Sequence, residues 1–147
     1  MKIAIGSDHA GYEYKEQIIE YLSPKFSITD FGTKMPISCD YPDFAKKVSL
    51  SVKSGEFDFG ILICGTGIGM SITANKVKGC RAALCTEPVS ASLARKHNNA
   101  NILCLGARII GIEMAKKTAD SFLQTGFEGG RHSNRVQKIM EIENEKN

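Results

Sequence analysis

The chain has 147 residues, 42% of them hydrophobic and 24% charged, which is typical of a globular protein with one hydrophobic core. Nineteen lysines and arginines against sixteen aspartates and glutamates give a net charge of +3, too small by itself to indicate a nucleic-acid-binding surface. No apolar run reaches the roughly 18 residues of a membrane span, and the early polar residues are not those of a signal peptide. The five cysteines form no CxxC pair, so we expect reduced thiols in the cytoplasm, with neither disulfides nor a zinc site.

Short strand-like runs alternate with helical patterns along the chain. The predicted strands are 2–8, 26–32, 57–64, 80–86 and 101–107. The predicted helices are 12–22, 42–54, 69–77, 88–98, 112–123 and, after a loop or arm, 135–146. This alternation predicts a single-domain α/β fold, doubly wound and Rossmann-like, in which a five-stranded parallel sheet has helices on both faces. We expect one domain over residues 1–147, with an arm and helix from about 126 to 147 packing on a partner subunit.

Polar side chains follow several predicted strands at the point where each strand ends. Ligands of an open parallel sheet bind beyond the carboxyl ends of its strands, so these side chains should share one edge. They are Asp8, His9, the segment 40–43 (DYPD), Cys64, Thr86, Glu87 and Arg108. The set favours a small-molecule site at that edge.

A glycine-rich turn follows Cys64, in the sequence CGTGIG. Its glycines allow close approach of the backbone, and the amides that begin the next helix can bind an anion or an oxyanion. A tight strand-to-helix turn would require the same glycines, so the turn alone leaves both interpretations open. The turn lacks the Gly-Lys-Ser/Thr of a Walker loop and the GxGxxG spacing, and Met70 stands where a Cys-x5-Arg phosphatase needs arginine.

Cys64 has two interpretations, a buried structural thiol or a reactive one. The helix start beside it favours a thiolate, which could act as a nucleophile or a general base. Cys80 and Cys104 are interpreted as structural. His97 and Asn98 end a helix antiparallel to the strands, so they should lie at the opposite edge from Cys64 within one subunit. If the basic segment Arg131–Arg135 or His97 acts on a ligand, a second chain must deliver some of these groups.

Six motifs, in this order and spacing, resemble the family of ribose-5-phosphate isomerase B, which also holds galactose-6-phosphate and allose-6-phosphate isomerases. The resemblance covers nearly the whole chain. The motifs are GSDHAG (6–11), DYPD (40–43), CGTGIG with ANK (64–69 and 74–76), HNNANIL (97–103), GAR (106–108) and GGRHSNR (129–135).

The resemblance implies a metal-independent aldose–ketose isomerase of the pentose phosphate pathway that works without a cofactor. It would interconvert ribose 5-phosphate and ribulose 5-phosphate through a cis-enediol(ate). Cys64 would be the base, His97 the acid that opens the sugar ring, and Thr66 a further catalytic residue. Some relatives use a glutamate further along the loop as base, a position held here by Gly69 or Met70.

The resemblance also implies a substrate-binding set and a set of partners. Amides of the glycine turn would meet the enediolate oxygens, and the arginines with His9 would anchor the phosphate. The substrate-binding residues implied are Asp8, His9, Tyr41, Gly65, Gly67, Ile68, Gly69, Asn98, Arg108, Arg131 and Arg135. The implied partners are a small-molecule sugar phosphate and further copies of the chain, in a homodimer or a dimer of dimers with shared active sites. Neither nucleic acid nor membrane is expected as a partner.

Three alternatives remain open from the sequence. A hexose-6-phosphate isomerase of the same family would use the same residues. A non-catalytic sugar-phosphate-binding protein would share the scaffold, although it would have no need for Cys64, Thr66 and His97 together. A flavodoxin-like sheet that binds a mononucleotide is the third alternative.

Overall fold

A computed structural model describes residues 1–145, and within them an all-parallel sheet of five strands with six helices. The strands are β1 Lys2–Ser7, β2 Ser27–Asp30, β3 Phe59–Cys64, β4 Ala82–Leu84 and β5 Ile102–Gly106. The helices are α1 Tyr12–Leu22, α2 Tyr41–Lys53, α3 Ile68–Ala74, α4 Pro88–Asn98, α5 Ile112–Gln124 and α6 Arg131–Ile142. The predicted doubly wound α/β class is confirmed. None of the helices in residues 1–145 combines the length and the apolar character that crossing a membrane requires.

Strand β3 forms the centre of the sheet, whose spatial order is β2-β1-β3-β5-β4. Alternate side chains of a strand point to opposite faces, and both faces of β3 are covered. Ile61 and Ile63 pack in one apolar cluster with α1, α4 and α5. Leu62 and Cys64 pack in the other with α2 and α3. Burial of each such isoleucine or leucine contributes about 1.5 to 3 kcal/mol, which explains why a continuous apolar run forms this strand.

The crevice beside β1 and β3 is the point where the winding of the sheet reverses. From β1 the chain runs outward to β2 on one side, and then returns across β1 to form β3 on the other. Helices that leave such a point go to opposite faces, which opens a crevice at the carboxyl ends of the two strands. Asp8 and Cys64 therefore lie at the two sides of this crevice.

The carboxyl-terminal helix begins earlier than the sequence pattern indicates. Helix α6 begins at Arg131, not at residue 135, so the predicted arm is shorter and Arg131, His132 and Arg135 are helical. Gly129 and Gly130 precede the helix with φ values of +67° and +55°, the left-handed region that favours glycine. The helix ends at Ile142. The predicted helix runs to residue 146, and residues 146 and 147 lie outside the described residues.

Glu87 follows β4 at the predicted edge of the sheet but lies outside the ligand crevice. Strand β4 is the outermost strand, separated from β3 by β5, so the residues after it lie away from the crevice. The carboxylate of Glu87 instead caps α4 by accepting hydrogen bonds from the amides of Val89 and Ser90, each 2.6 Å long. Hydrogen bonding from the Ser90 side chain, together with these two amides, holds the pKa of Glu87 below its usual value.

Candidate active site

A cavity of about 430 Å³ opens where β1 and β3 end and α3 begins. Most of the residues that the sequence predicts for catalysis or substrate binding line it. They are Asp8, His9, Tyr41, Cys64, Gly65, Thr66, Ile68, Gly69 and Arg108. The fold therefore brings together residues from four separate segments of the chain.

The sulfur of Cys64 forms part of the cavity wall and has a main-chain partner. Its side chain is nearly buried, and the amide of Gly67 donates a hydrogen bond of 3.1 Å to Sγ. Gly67 adopts φ +77°, and a Cβ there would lie 2.9 Å from the carbonyl carbon of Leu105. Glycine is therefore required for the turn that directs this amide at the sulfur. An N–H group aimed at sulfur pairs better with a thiolate than with a neutral thiol.

Other amides of the same turn remain available to a ligand. The amides of Gly65, Thr66 and Gly69 donate to no acceptor within residues 1–145. The amide of Ile68 is already engaged, since it lies 3.3 Å from the hydroxyl oxygen of Thr66. The predicted donors thus divide into free amides and amides that hold the turn together. Free N–H groups beside a thiol are the arrangement that stabilises negative charge on a substrate oxygen.

Arg108 brings a positive charge to the base of this turn. Its amide donates to the carbonyl oxygen of Gly65 at 2.9 Å, which fixes the segment after β5 against the turn. Its guanidinium folds back over Gly65, so closely that a Cβ at Gly65 would lie 3.3 Å from Nη1. Arginine in this place provides a fork of donors for an anionic group in the cavity.

The turn between β1 and α1 is rigid and carries Asp8 and His9. The Oδ1 atom of Asp8 accepts the amides of Ala10 and Gly11 at 2.9 and 3.0 Å. Gly11 lies so close to β3 that a Cβ would come within 2.4 Å of the carbonyl oxygen of Ile63. The ring of His9 lines the cavity, and its Nδ1 accepts the amide of Cys39 at 3.3 Å.

Tyr41 forms a further wall of the cavity. Its ring lies against α3 at Gly69, where a Cβ would meet Cε2 and Cζ of the ring at 2.6 Å. The absence of a side chain at Gly69 therefore lets the aromatic ring close this side of the cavity. Ile68 and Ile72 also line the cavity and remain largely exposed, at 51% and 57%.

His97, Asn98, Arg131 and Arg135 lie outside this cavity. His97, near the end of α4, stacks on His132 of α6 with ring centroids 4.3 Å apart and planes 10° apart. Asn98 lines a different cavity, of about 380 Å³, between the start of β4 and α6. Both arginines are exposed on α6. One chain therefore does not assemble the whole predicted set.

His132 is a residue whose position the sequence did not reveal. Its side chain is buried against α4, and burial lowers its pKa, with His97, Arg131 and Arg135 adding to the effect and Glu128 opposing it. A histidine three residues before a predicted helix gave no signal of such a contact. The contact depends on the packing of α6 against α4, which the local sequence pattern does not indicate.

His97, Glu128 and His132 have ligand atoms within 4.8 Å of one another, the only such group of metal-ligand types found in residues 1–145. The two imidazole rings are stacked face to face, so their nitrogen lone pairs lie in two nearly parallel planes. A metal ion needs lone pairs that converge on one point. This geometry does not fit a preformed metal site.

Comparisons with known proteins agree along the whole length of the chain. Residues 3–139 match a family model described as ribose/galactose isomerase. The chain is 48% identical to ribose-5-phosphate isomerase B of Escherichia coli over 147 residues, which cover 99% of both proteins. A ribose-5-phosphate isomerase B structure from Clostridium thermocellum superposes with a TM-score of 0.97 and 54% identity, over 98% of each chain. Another, from Mycoplasma genitalium with bound ribulose-5-phosphate, gives 0.94 and 47%, over 99% of this chain and 97% of that one.

Proposed function

Since the chain belongs to the ribose/galactose isomerase family, we propose that it is an isomerase that interconverts ribose 5-phosphate and ribulose 5-phosphate. The relative from Escherichia coli carries the name of this activity, and the Mycoplasma genitalium structure holds ribulose-5-phosphate. The conclusion depends most on one observation in this chain. The sulfur of Cys64 lies in the wall of a cavity, paired with one amide and adjacent to amides that are free.

The proposed chemistry is a proton transfer between adjacent carbons. The Cys64 thiolate removes the proton from the carbon beside the substrate carbonyl, so a C–H bond breaks and an S–H bond forms. The electron pair moves onto the carbonyl oxygen and gives a cis-enediolate. The amides of Gly65 and Gly69, with the Thr66 hydroxyl, stabilise this oxygen. Return of the proton to the neighbouring carbon, with transfer of the enediolate's hydroxyl proton to the former carbonyl oxygen, completes the isomerisation without net oxidation.

The remaining groups in the cavity hold the substrate at a distance from the reacting carbons. Arg108 and His9 bind anionic or hydroxyl oxygens, and the second carboxylate oxygen of Asp8 is available to a sugar hydroxyl. Such contacts hold the reacting carbons next to Cys64 and contribute through orientation more than through the proton transfer itself.

The acid that opens the sugar ring and two of the arginines would come from a second copy of the chain. What supports this is their location, since His97, Arg131 and Arg135 lie outside the cavity and the arginines are exposed. The exposed side chains of Ile68 and Ile72 beside the cavity provide apolar surface for such a contact. We infer a single domain that forms a homodimer or a dimer of dimers, with residues from about 126 onward at the subunit contact. We place it in the pentose phosphate pathway of the cytoplasm.

A direct assay tests the proposal. Purified protein is incubated with ribose 5-phosphate, with and without EDTA, and ribulose 5-phosphate is measured. We expect turnover at the same rate under both conditions. Absence of turnover in both would rule out the pentose-phosphate activity, and loss with EDTA alone would rule out the metal-independent mechanism.

A hexose-6-phosphate activity is the second candidate, because the matching family is described by both ribose and galactose. The Tyr41 ring packs against Gly69 and closes one side of the cavity. Comparison of kcat/KM for ribose 5-phosphate, allose 6-phosphate and galactose 6-phosphate decides between them. A higher value for either hexose would reverse the assignment.

A further inference from the structure

The ring of His9 is held at one nitrogen by the main chain. The amide of Cys39 lies 3.3 Å from Nδ1, at the long end of the range for such hydrogen bonds. The thiol of Cys39 lies further away, with its sulfur 4.0 Å from the same nitrogen. A backbone N–H can only donate, so Nδ1 must be the acceptor and the single proton of a neutral ring must be on Nε2.

The segment that leads to this amide is fixed to the sheet at its start. The amide of Phe31 donates to the carbonyl oxygen of Ile5 at 2.8 Å, and the amide of Thr33 donates to that of Ser7 at 3.0 Å. Asp30, which begins the segment, accepts the amide of Gly32 at 2.8 Å. The same carboxylate is 2.7 Å from the buried ammonium of Lys15. The amide of Cys39 therefore approaches His9 from a connection anchored beside β1.

The other side of His9 is equally constrained. Asp8 caps the turn in which His9 lies, so the backbone at His9 has a fixed direction. A second proton on Nδ1 would face the Cys39 N–H, so a cationic ring and this hydrogen bond exclude each other. The positive charge in the cavity is then supplied by Arg108.

We propose that the main-chain amide of Cys39 positions His9 as the neutral tautomer with the proton on Nε2. His9 then meets the substrate as a hydrogen-bond donor through Nε2, and its Nδ1, already an acceptor for the Cys39 amide, does not serve as a base. Cys39 is a positioning residue that acts through its backbone, so its thiol is dispensable. The substrate role rests on the proposed isomerase function, whereas the tautomer is a property of the protein without substrate.

Nitrogen-15 NMR of histidine-labelled protein measures the tautomer directly. The chain has three histidines, so substitution of His97 and of His132 in turn assigns the signals. At about pH 8, above the ordinary pKa of histidine, we expect an unprotonated Nδ1 and a protonated Nε2 for His9 in the wild-type protein. A signal from a protonated Nδ1, or from an even mixture of tautomers, would overturn the proposal whether or not the protein turns over ribose 5-phosphate.

Three variants separate the amide from the thiol. Cys39→Pro removes the N–H group, and we expect mixed tautomers at His9 with a roughly fivefold higher KM for ribose 5-phosphate at nearly unchanged kcat. Cys39→Ala keeps the amide and should match the wild type in spectrum and in KM. Ser38→Pro introduces the same ring one residue earlier, at an amide that donates to no acceptor in residues 1–145, and controls for loop stiffening.

The outcomes distinguish this proposal from the isomerase proposal. If Cys39→Pro kept the wild-type spectrum and KM, the positioning role would be wrong. If Cys39→Pro failed to fold, the wild-type spectrum would still decide the tautomer. If the wild type showed the Nε2–H tautomer but no turnover, the isomerase function would fail and the tautomer assignment would stand.

Discussion

Two regions of the molecule carry different halves of the predicted machinery. At the carboxyl ends of β1 and β3, a cavity combines the thiol of Cys64, free amides and the guanidinium of Arg108. Where α4 meets α6, the chain presents the stacked pair His97 and His132 together with exposed arginines. The first region holds the proposed base and oxyanion donors, and the second holds the proposed acid and the cations.

The two regions also differ in how their groups are held. In the first, main-chain hydrogen bonds and close glycine contacts hold the groups, as at Gly67, where a side chain would clash with the main chain of Leu105. In the second, the groups are side chains on helix surfaces, which are suited to meet another molecule. The base and the oxyanion donors need the finer placement, because proton transfer depends on distances of a hydrogen bond or less.

The largest effect is expected at Cys64. Cys64→Ala removes the base and should lower kcat roughly 10²- to 10⁴-fold while the far-ultraviolet circular dichroism stays unchanged. Cys85→Ala is the matched control, since Cys85 is equally buried but packs in the cluster on the other face of the sheet, and its kcat should stay near wild type. Activity of Cys64→Ala near the wild-type level would return Cys64 to a structural role.

Substitution of Gly67, in the same region, should lower kcat less than substitution of Cys64. A Cβ at Gly67 would clash with the main chain of Leu105, so Gly67→Ala must shift the turn and move its amide away from Cys64. We expect a fall in kcat of roughly 10- to 100-fold. Gly55→Ala has a similar φ of +79° with open space around its Cβ, so it introduces backbone strain alone and should leave kcat unchanged. Equal effects of the two substitutions would show that strain, and not the position of the amide, is responsible.

Substitution of Asp30, which forms an ion pair with Lys15, is expected to have the smallest effect on activity and to act on stability instead. Burial alone raises the pKa of Asp30, but hydrogen bonds from Lys15, Lys34 and the amide of Gly32 outweigh it and hold the pKa below its usual value. A lowered carboxyl pKa stabilises the fold above the unfolded-state value of about 3.9, and this contribution is lost as the pH falls through the folded-state value.

Asp30→Asn should therefore remove this acid-dependent part of the stability. Because Lys15 is fully buried, we also expect a loss of roughly 2 to 4 kcal/mol in the free energy of unfolding at pH 7. Urea unfolding between about pH 3 and pH 7 measures both. Glu16→Gln is the control, since Glu16 contacts the same ammonium from an exposed position. A pH dependence of Asp30→Asn equal to that of the wild type would contradict this account.

The sequence predicts where the helices and strands lie along the chain better than it predicts which of them pack together. Helix α1 has its predicted bounds, 12–22, because its apolar residues repeat with the helical period. The start of α6 was missed because RHSN is polar throughout, and its burial on α4 depends on a tertiary contact of His132. The insertion of β5 between β3 and β4 is likewise a tertiary event, and it moves Glu87 away from the cavity.

Within the candidate site, the rule that ligands bind where strands end placed Asp8, Cys64 and Arg108 together. The hydrogen bonds were not predictable in the same way. The contact between the Cys39 amide and His9 joins residues 30 positions apart through an irregular segment. The amide of Gly67 points at sulfur, where the sequence indicated an oxyanion donor, because only the three-dimensional turn fixes its direction.

Subunit mixing tests the central claim, that two copies of the chain complete one site. Cys64→Ala and His97→Ala proteins, each inactive alone, are unfolded together, refolded and assayed with ribose 5-phosphate. Random pairing gives heterodimers with one intact site, so we predict recovery of about a quarter of the wild-type activity. No recovery in a sample whose heterodimers are confirmed by mass spectrometry, or full activity of His97→Ala alone, would contradict the shared site.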